Sequence, residues 1–500
     1  MFFLNISLCN KIRILVAILF TSVAISGYSQ KKNIRNTELP PDIDQYIENV
    51  LSTFKIPGIG IAVVKDGKVL MAKGYGVRKL GSPERVDSKT LFPIASNTKA
   101  FTATALSLLV AEGKISWSDP VVKHLPWFRL SNPFVTNELN IKDLLVHNSG
   151  IAAYAGDLMQ FPPTNFTRTE IVRKLEHLPL SASFRSTYAY DNVLYLVAGE
   201  LIKAVSGMEW EDFIQTRILD KVGMTESFTR FSLFRNKGNI AASHAPVNGQ
   251  VKHLESFFEQ GFGDASNPAG GIVSNAEDMA KWLIVQLDSG RLGNGDRLLT
   301  SSAAAELWKG VTPMPVSIAH SAVAPAQTDF NAYALGFRVH TYRKLKEVTH
   351  GGKLDGFVSN LKLFPELGLG IMIMTNQETT NGCQAIAYYI TDYIAGLPKF
   401  DWLKGYAEVE AARFRRIAEI ENYSEASRDK GKGPSLSLEK YCGTYEDAWY
   451  GKVHISMENG KMKMQFAHTP LLQGELEHWH YDTFVVRWKE RNLRADAYVT

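Results

Sequence analysis

Leu91-Phe92-Pro93-Ile94-Ala95-Ser96-Asn97-Thr98-Lys99-Ala100-Phe101 places a serine and a lysine three residues apart, at the head of an apolar segment running to about Gly113. Phe101, Ala105, Leu108 and Leu109 recur there at helical spacing and Gly113 offers a stop, so the spacing predicts a helix with Ser96 near its start. Residues i and i+3 share a helix face, which lets the Lys99 amine meet the Ser96 hydroxyl. A hydroxyl is a poor nucleophile until a base takes its proton, and burial lowers a lysine pKa enough for that task. Free N–H groups at a helix start also favour negative charge developing on a substrate oxygen. The tetrapeptide alone decides nothing. Ser-x-x-Lys recurs at Ser29, Ser52, Ser359, Ser427 and Ser437, and a serine in this place is equally an N-cap.

Outward from this helix, strand patterns lie at both ends of a long helical stretch. Upstream, Leu39 to Phe54 carries an amphipathic stripe of Ile43, Tyr46, Ile47 and Val50. Ile59 to Val64 and Val69 to Met71 flank Asp66-Gly67 as a hairpin. Between residues 100 and 300 the patterns are mostly helical: Ile141 to Gly150, Val193 to Val205, and Glu277 to Leu287 with Ser274 as cap. Strands return at Ala334–Val339, Glu347–His350, Asn360–Phe364 and Leu369–Met374, before a helix from Gln384 to Ala395. The simplest fold is α/β: one antiparallel sheet built from both ends of the domain, flanked by helices, with an all-helical domain inserted. We expect this domain over residues 39–398, a helical connector and polar linker over 399–435, and a small β-barrel or sandwich over 436–500.

Composition agrees with an ordinary globular protein: 500 residues, 45% hydrophobic and 21% charged, net charge +4. No basic run or aromatic–basic interleaving points to nucleic acid. Lys11 and Arg13 precede an apolar run from Ile14 to Ile25, with small residues at Ser26–Ser29. This reads as a cleaved signal peptide over 1–29, hence a periplasmic or secreted protein; an uncleaved anchor is the alternative. Nothing in their spacing supports pairing of Cys383 with Cys442.

Two further motifs give Ser96 company. Tyr190-Asp191-Asn192 holds the chain's one Tyr-x-Asn, in a loop before a helix. Its phenol could act as base toward Ser96 and acid toward a leaving group, while Asn192 could hold Lys99 and a substrate amide. A loop tyrosine packing on the core is the plain alternative. His350-Gly351-Gly352 ends a strand, where glycines let a substrate backbone approach and the imidazole could donate to a substrate carboxylate or to the tyrosine oxygen. A glycine turn with an incidental histidine explains it as well.

Taken together and in this order, Ser96-x-x-Lys99, Tyr190-x-Asn192 and His350-Gly351-Gly352 resemble the serine β-lactamase and penicillin-binding-protein superfamily, closest to its class C β-lactamase and esterase branch. Leu144–Gly150, Val222–Thr225, Pro268–Gly271 and His350–Gly356 are similar to the same branch, and the likeness covers about Asp42 to Gly396. The trailing β-domain also looks like one appended to such hydrolases. The resemblance implies Ser96 as acylated nucleophile, Lys99 as its proton-accepting neighbour, Tyr190 as general base and acid, and Asn192 as substrate contact. It implies His350, Gly351 and Gly352 as the strand edge facing substrate, and the backbone N–H groups of Ser96 and Lys353 as oxyanion hole. No metal or organic cofactor is implied.

One departure bears on substrate. Class C β-lactamases carry Lys-Thr-Gly where this chain has His-Gly-Gly, which removes a cation and a hydroxyl able to grip a β-lactam carboxylate. Weak or no β-lactamase activity follows, with an ester, a D-amino-acid peptide or another small amide as substrate. A binder or sensor of cell-wall peptides that deacylates slowly or not at all is the rival. The aromatic residues Trp449, Tyr450, Trp479, Tyr481 and Trp488 of the β-domain could bind a glycan, cover the active-site mouth, or form a core. His478 and His480 read as a solvated strand face rather than a metal site, Asp143 and His147 as packing and capping, and Asp278 as an early-helix acid.

Overall fold

The computed structural model describes residues 35–247, 249–255 and 263–500. The expected signal peptide over 1–29 lies outside the described residues. In chain order the principal elements are α1 (Ile43–Phe54), β1 (Gly58–Lys65), β2 (Lys68–Gly76), α2 (Thr98–Ala111), α3 (Val193–Ser206), α4 (Ala276–Leu287), β3 (Thr312–Pro313), β4 (Asn331–Tyr333), β5 (Arg338–Tyr342), β6 (Leu345–Leu354), β7 (Phe357–Phe364), β8 (Leu369–Thr375), α5 (Asn381–Ala395) and α6 (Trp402–Ala426).

Asp66 and Gly67 both take positive φ, 49° and 75°, the turn that matches the twist of a tight hairpin, and they return β1 into β2. β1 is buried along its whole length because it is an interior strand covered on both faces. Its other neighbour is β8, paired antiparallel with Ile61 opposite Ile373. The eight strands run β2-β1-β8-β7-β6-β5-β4-β3, so the N-terminal hairpin completes a sheet otherwise made from the far end of the domain.

Two cores share that sheet. Ile61 and Ile373 face one side and pack with Ile47 and Val50 of α1 and Ile386 and Ile390 of α5. Ala62, Val64, Met372 and Met374 face the other, against Trp282 and Leu283 of α4 and the helical region that contains α2 and α3. α2 is buried on almost every side, which explains why its apolar pattern is not confined to one stripe.

The C-terminal unit is a six-stranded antiparallel meander: β9 (Gly443–Asp447), β10 (Gly451–Glu458), β11 (Lys461–Phe466), β12 (Gln473–His480), β13 (Thr483–Trp488) and β14 (Ala497–Val499), in sequential order. Met462, Leu476, Phe484 and Val486 fill its inner face. Among the described residues no helix is long and apolar enough to cross a membrane.

Three local expectations fail for identifiable reasons. The predicted helix at Ile141–Gly150 is one turn of 3-10 helix, Asp143–Leu145, because His147 takes φ +58° and Gly150 φ +89°. The predicted strand Ala334–Val339 is broken by Gly336 at φ +76°, where β4 turns into β5. α4 is capped by Asn275, whose Oδ1 accepts the Asp278 N–H at 2.9 Å, and not by Ser274.

Candidate active site

The chain enters α2 through a strained turn. Ala95 sits at φ +49°, a left-handed conformation that costs a residue with a Cβ roughly 1–2 kcal/mol. Neighbours hold it there. Ile94 N–H donates to Ile272 O (2.9 Å), Ser359 Oγ donates to Ile94 O (2.6 Å), and Asn97 Nδ2 donates to Ser359 Oγ (2.7 Å). β6 crosses this turn at Gly352, where a Cβ would lie 2.3 Å from Ile94 O and 2.9 Å from Ala95 Cβ. Only glycine permits that approach.

The strain lifts Ser96 into a cavity while its neighbours stay buried. Lys99, one turn later, is fully buried and its Nζ lies 3.1 Å from Ser96 Oγ, 2.8 Å from Asn192 Oδ1 and 2.8 Å from Ala269 O. Burial pulls its pKa down to about 7, even though the carboxylates of Asp157 and Asp191 act to raise it. Asn192 is fixed in turn: its Nδ2 donates to both Asp157 oxygens (3.1 and 2.9 Å). Burial raises the Asp157 carboxyl to about 6.

Tyr190 is buried beside Lys99, whose Nζ lies 5.1 Å from its ring centre, and burial pushes its phenol well above the ordinary range although the Ser96 hydroxyl acts to lower it. Its loop is tied down by Tyr154 N–H donating to Tyr190 O (2.7 Å) and Ala189 N–H to His147 O (2.9 Å). The structure thus brings Ser96, Lys99, Tyr190 and Asn192 into one contact set.

His350 is placed differently from expectation. Along β6 Gly351 and Lys353 are exposed toward the cleft, whereas the His350 side chain points to the other face and is buried. The imidazole is 1% exposed and does not line the cavity. Its Nδ1 donates to Gly351 O (2.7 Å), which leaves Nε2 to accept the Tyr333 hydroxyl at 2.8 Å. Both nitrogens are spent, the Tyr190 ring centre is 6.3 Å away, and burial keeps the ring neutral. The expected donation to substrate or to Tyr190 is therefore not made; His350 stiffens the wall behind Tyr190 through Tyr333. Gly351, Gly352 and Lys353 do line the cavity with Ser96, and the Lys353 ammonium turns away to Glu378 (3.5 Å).

Four site residues escaped sequence reading. Asp157 anchors Asn192. His147, read as packing, accepts the Asp191 N–H at Nδ1 (3.2 Å) and lays its ring 4.2 Å from that of Tyr190 and 4.3 Å from that of Tyr333. Arg338 of β5 lines the cavity with its guanidinium 5.9 Å from the Tyr190 ring centre. Tyr333 has no motif of its own. The signal for His147 was its segment, Leu144–Gly150; the others stand alone in loops or strands.

The cavity, about 920 Å³, continues from Ser96 to the C-terminal β-domain. Trp449 is buried against Gly156 and Val193 of the larger domain, and Trp488 lines the cavity, whereas Tyr481 stays exposed. Cys383 and Cys442 are both free. His478 Nε2 bonds its own turn at Tyr481 O (2.8 Å). Among the described residues no cluster of three or more His, Cys, Asp or Glu side chains is arranged to hold a metal ion.

Comparison with known proteins fits this geometry. The sequence profile of the Beta-lactamase family matches residues 43–395, and a domain of unknown function (DUF3471) matches 427–500. Unguisins hydrolase ungD of Aspergillus violaceofuscus is 28% identical over 457 residues, covering 87% of this chain and 79% of that protein. Protein flp of Staphylococcus aureus is 27% identical over 67% of this chain and 62% of its own length. Among solved structures, a penicillin-binding protein homologue from Pyrococcus abyssi superposes with a TM-score of 0.62 at 21% identity, over 91% of this chain and 94% of that one. The D-amino acid amidase from Ochrobactrum anthropi SV3 gives 0.57 at 20%, over 71% and 99%. With a fold of this kind and a family match across most of its length, the chain belongs to the beta-lactamase family and is a serine hydrolase.

Proposed function

We propose that this protein is an exported hydrolase that cleaves an ester or an amide, D-amino-acid peptides included, through a Ser96 acyl-enzyme, with little or no β-lactamase activity. The observation that carries the reading is the setting of Lys99. Of its three oxygen neighbours, Asn192 Oδ1 and Ala269 O can only accept, and they occupy two N–H groups of a neutral amine. The lone pair is then left for the Ser96 O–H at 3.1 Å. A pKa near 7 keeps a large fraction of the amine in that form at neutral pH.

Lys99 takes the Ser96 proton as Oγ bonds to the carbonyl carbon, and the Ser96 and Lys353 N–H groups would receive the oxyanion. Tyr190, held protonated by burial, suits the acid that protonates the leaving amine or alcohol; Lys99 then returns a proton to the phenolate. Water adds to the acyl carbon in the reverse sense and regenerates Ser96. This shifts the base role expected of Tyr190 to Lys99. Position 350 supplies neither cation nor hydroxyl to the cleft, which supports weak β-lactam recognition. The kinship with a named hydrolase supports turnover over mere binding, and the basic and apolar pattern of residues 11–25 supports export.

A fluorescent fluorophosphonate and a fluorescent penicillin, each applied to the wild type and to Ser96→Ala, test the reading. Fluorophosphonate labelling lost in the variant, without penicillin labelling, is expected. Labelling that persists in Ser96→Ala overturns it, and a stoichiometric ester burst with no steady state would assign the protein as a binder.

A further inference from the structure

The cavity over Ser96 is larger than the reacting groups need. At about 920 Å³ it lies near the top of the range for ligand pockets. Ser96, Tyr190 and Asn192 form one end with the edge of β6. The other end is a different piece of chain: Met464 and Phe466 of β11, Leu472, Val486 and Trp488 of β13, and Val499 of β14. These side chains belong to the inner face of the curled sheet, whose own core continues into the cavity rather than closing against it.

Among the contacts that hold this wall over the serine, two stand out. Trp449 is buried in the larger domain's core. Arg494, just before β14, bonds both oxygens of Glu378, one at 3.0 Å. Glu378 also accepts the Gly356 N–H (3.0 Å) in the β6–β7 turn, so the wall is tied to the hairpin that carries Gly351–Lys353. Charges at this end are spent on one another. Arg494 faces Glu378 and Asp355, and Asp496 bonds Arg487 and Arg491, each at 2.7 Å. What is left facing the empty space is mostly apolar.

We propose that the inner face of the C-terminal sheet is the binding site for a bulky apolar group of the substrate, a medium-length alkyl chain or an aromatic ring attached near the scissile carbonyl. The inference rests on hydrolysis at Ser96 and deepens it by naming the substrate class. The small domain then supplies specificity, and the larger domain supplies the chemistry.

Two ester series test this on the full-length protein: p-nitrophenyl esters from acetate to octanoate, and acetate esters of alcohols from ethanol to octanol. Fully burying a methylene strengthens binding by about three- to four-fold. In at least one series kcat/KM should therefore rise ten-fold or more between the two-carbon and six-carbon members. Ala495→Phe, an exposed loop position on the cavity wall, should cut that long-to-short ratio by at least five-fold. Lys489→Phe, exposed and outside the cavity, should keep it. A flat profile in both series, or a ratio unchanged by Ala495→Phe, overturns the proposal while ester hydrolysis lost in Ser96→Ala still stands. Absence of any Ser96-dependent hydrolysis of the acetates overturns the underlying reading instead.

Discussion

Asp157 never touches Lys99 in the hydrogen-bond network, yet its carboxylate raises the amine's pKa against the stronger effect of burial. The neutral amine is the competent base. Activity should thus be lost as pH falls through about 7, and kcat/KM should rise with an inflection near that value. Asp157→Asn keeps an acceptor for Asn192 Nδ2 but deletes the charge, so the inflection should move down by roughly 0.5–1 unit. A pH–rate profile of both proteins with the same ester decides it; an unmoved or raised inflection refutes the assignment of Lys99. Lys99→Met and Tyr190→Phe should each lower kcat by about 10²–10⁴-fold, read in steady-state assays at pH 8. The sequence disclosed Ser96, Lys99, Tyr190 and Asn192 because each falls in a short motif. It concealed Asp157 and Arg338 because a lone carboxylate in a loop and a lone arginine in a strand have no spacing to betray them. It misled on His350, since a strand sends alternate side chains to opposite faces and the motif does not say which face the imidazole takes.

At the scale of elements, the meeting of β6 with the turn before α2 is the tightest fit in the site. A methyl group on Gly352 would collide with Ile94 O at 2.3 Å and Ser359 Oγ at 2.4 Å, both held in place. Gly352→Ala should lose about 1–3 kcal/mol of stability by urea unfolding and most of its activity. Gly351→Ala, whose Cβ would meet only Ser359 O at 3.9 Å, should unfold like the wild type. Equal losses in the two variants would show that the crossing is not the constraint. The β1–β2 hairpin, α3 and α5 were legible from apolar runs bounded by Asp-Gly or glycine stops. The stretch from Ile141 to Gly150 was not. Its apolar spacing imitates a helix, but tertiary contacts hold His147 at positive φ so that its ring can reach Tyr190 and Tyr333.

Over the whole molecule, the two domains share a core through Trp449. Trp449→Ala should cost about 3 kcal/mol in urea unfolding and also weaken the long-chain ester preference, because the same contact holds the cavity wall. Normal stability in that variant would mean the domains are docked mainly by their other contacts, the Arg494–Glu378 pair and the Asn165–His468 bonds among them. The antiparallel sheet drawn from both ends of the hydrolase domain was readable from where strand patterns begin and resume. How the trailing sheet faces the serine was not, because interdomain packing leaves no periodicity in either partner. That sheet also governs when the enzyme can come into being. The Gly58 N–H closes onto Asn376 Oδ1 at 2.7 Å, 318 residues later in the chain, and β1 lies unpaired on one edge until β8 exists. A ribosome that has finished only the first 350 residues has already made Ser96, Lys99 and Tyr190, yet the strand that β1 must pair with is still unmade. Contacts of such long reach make folding slow, and the sheet that carries the site cannot close before Thr375 has been made.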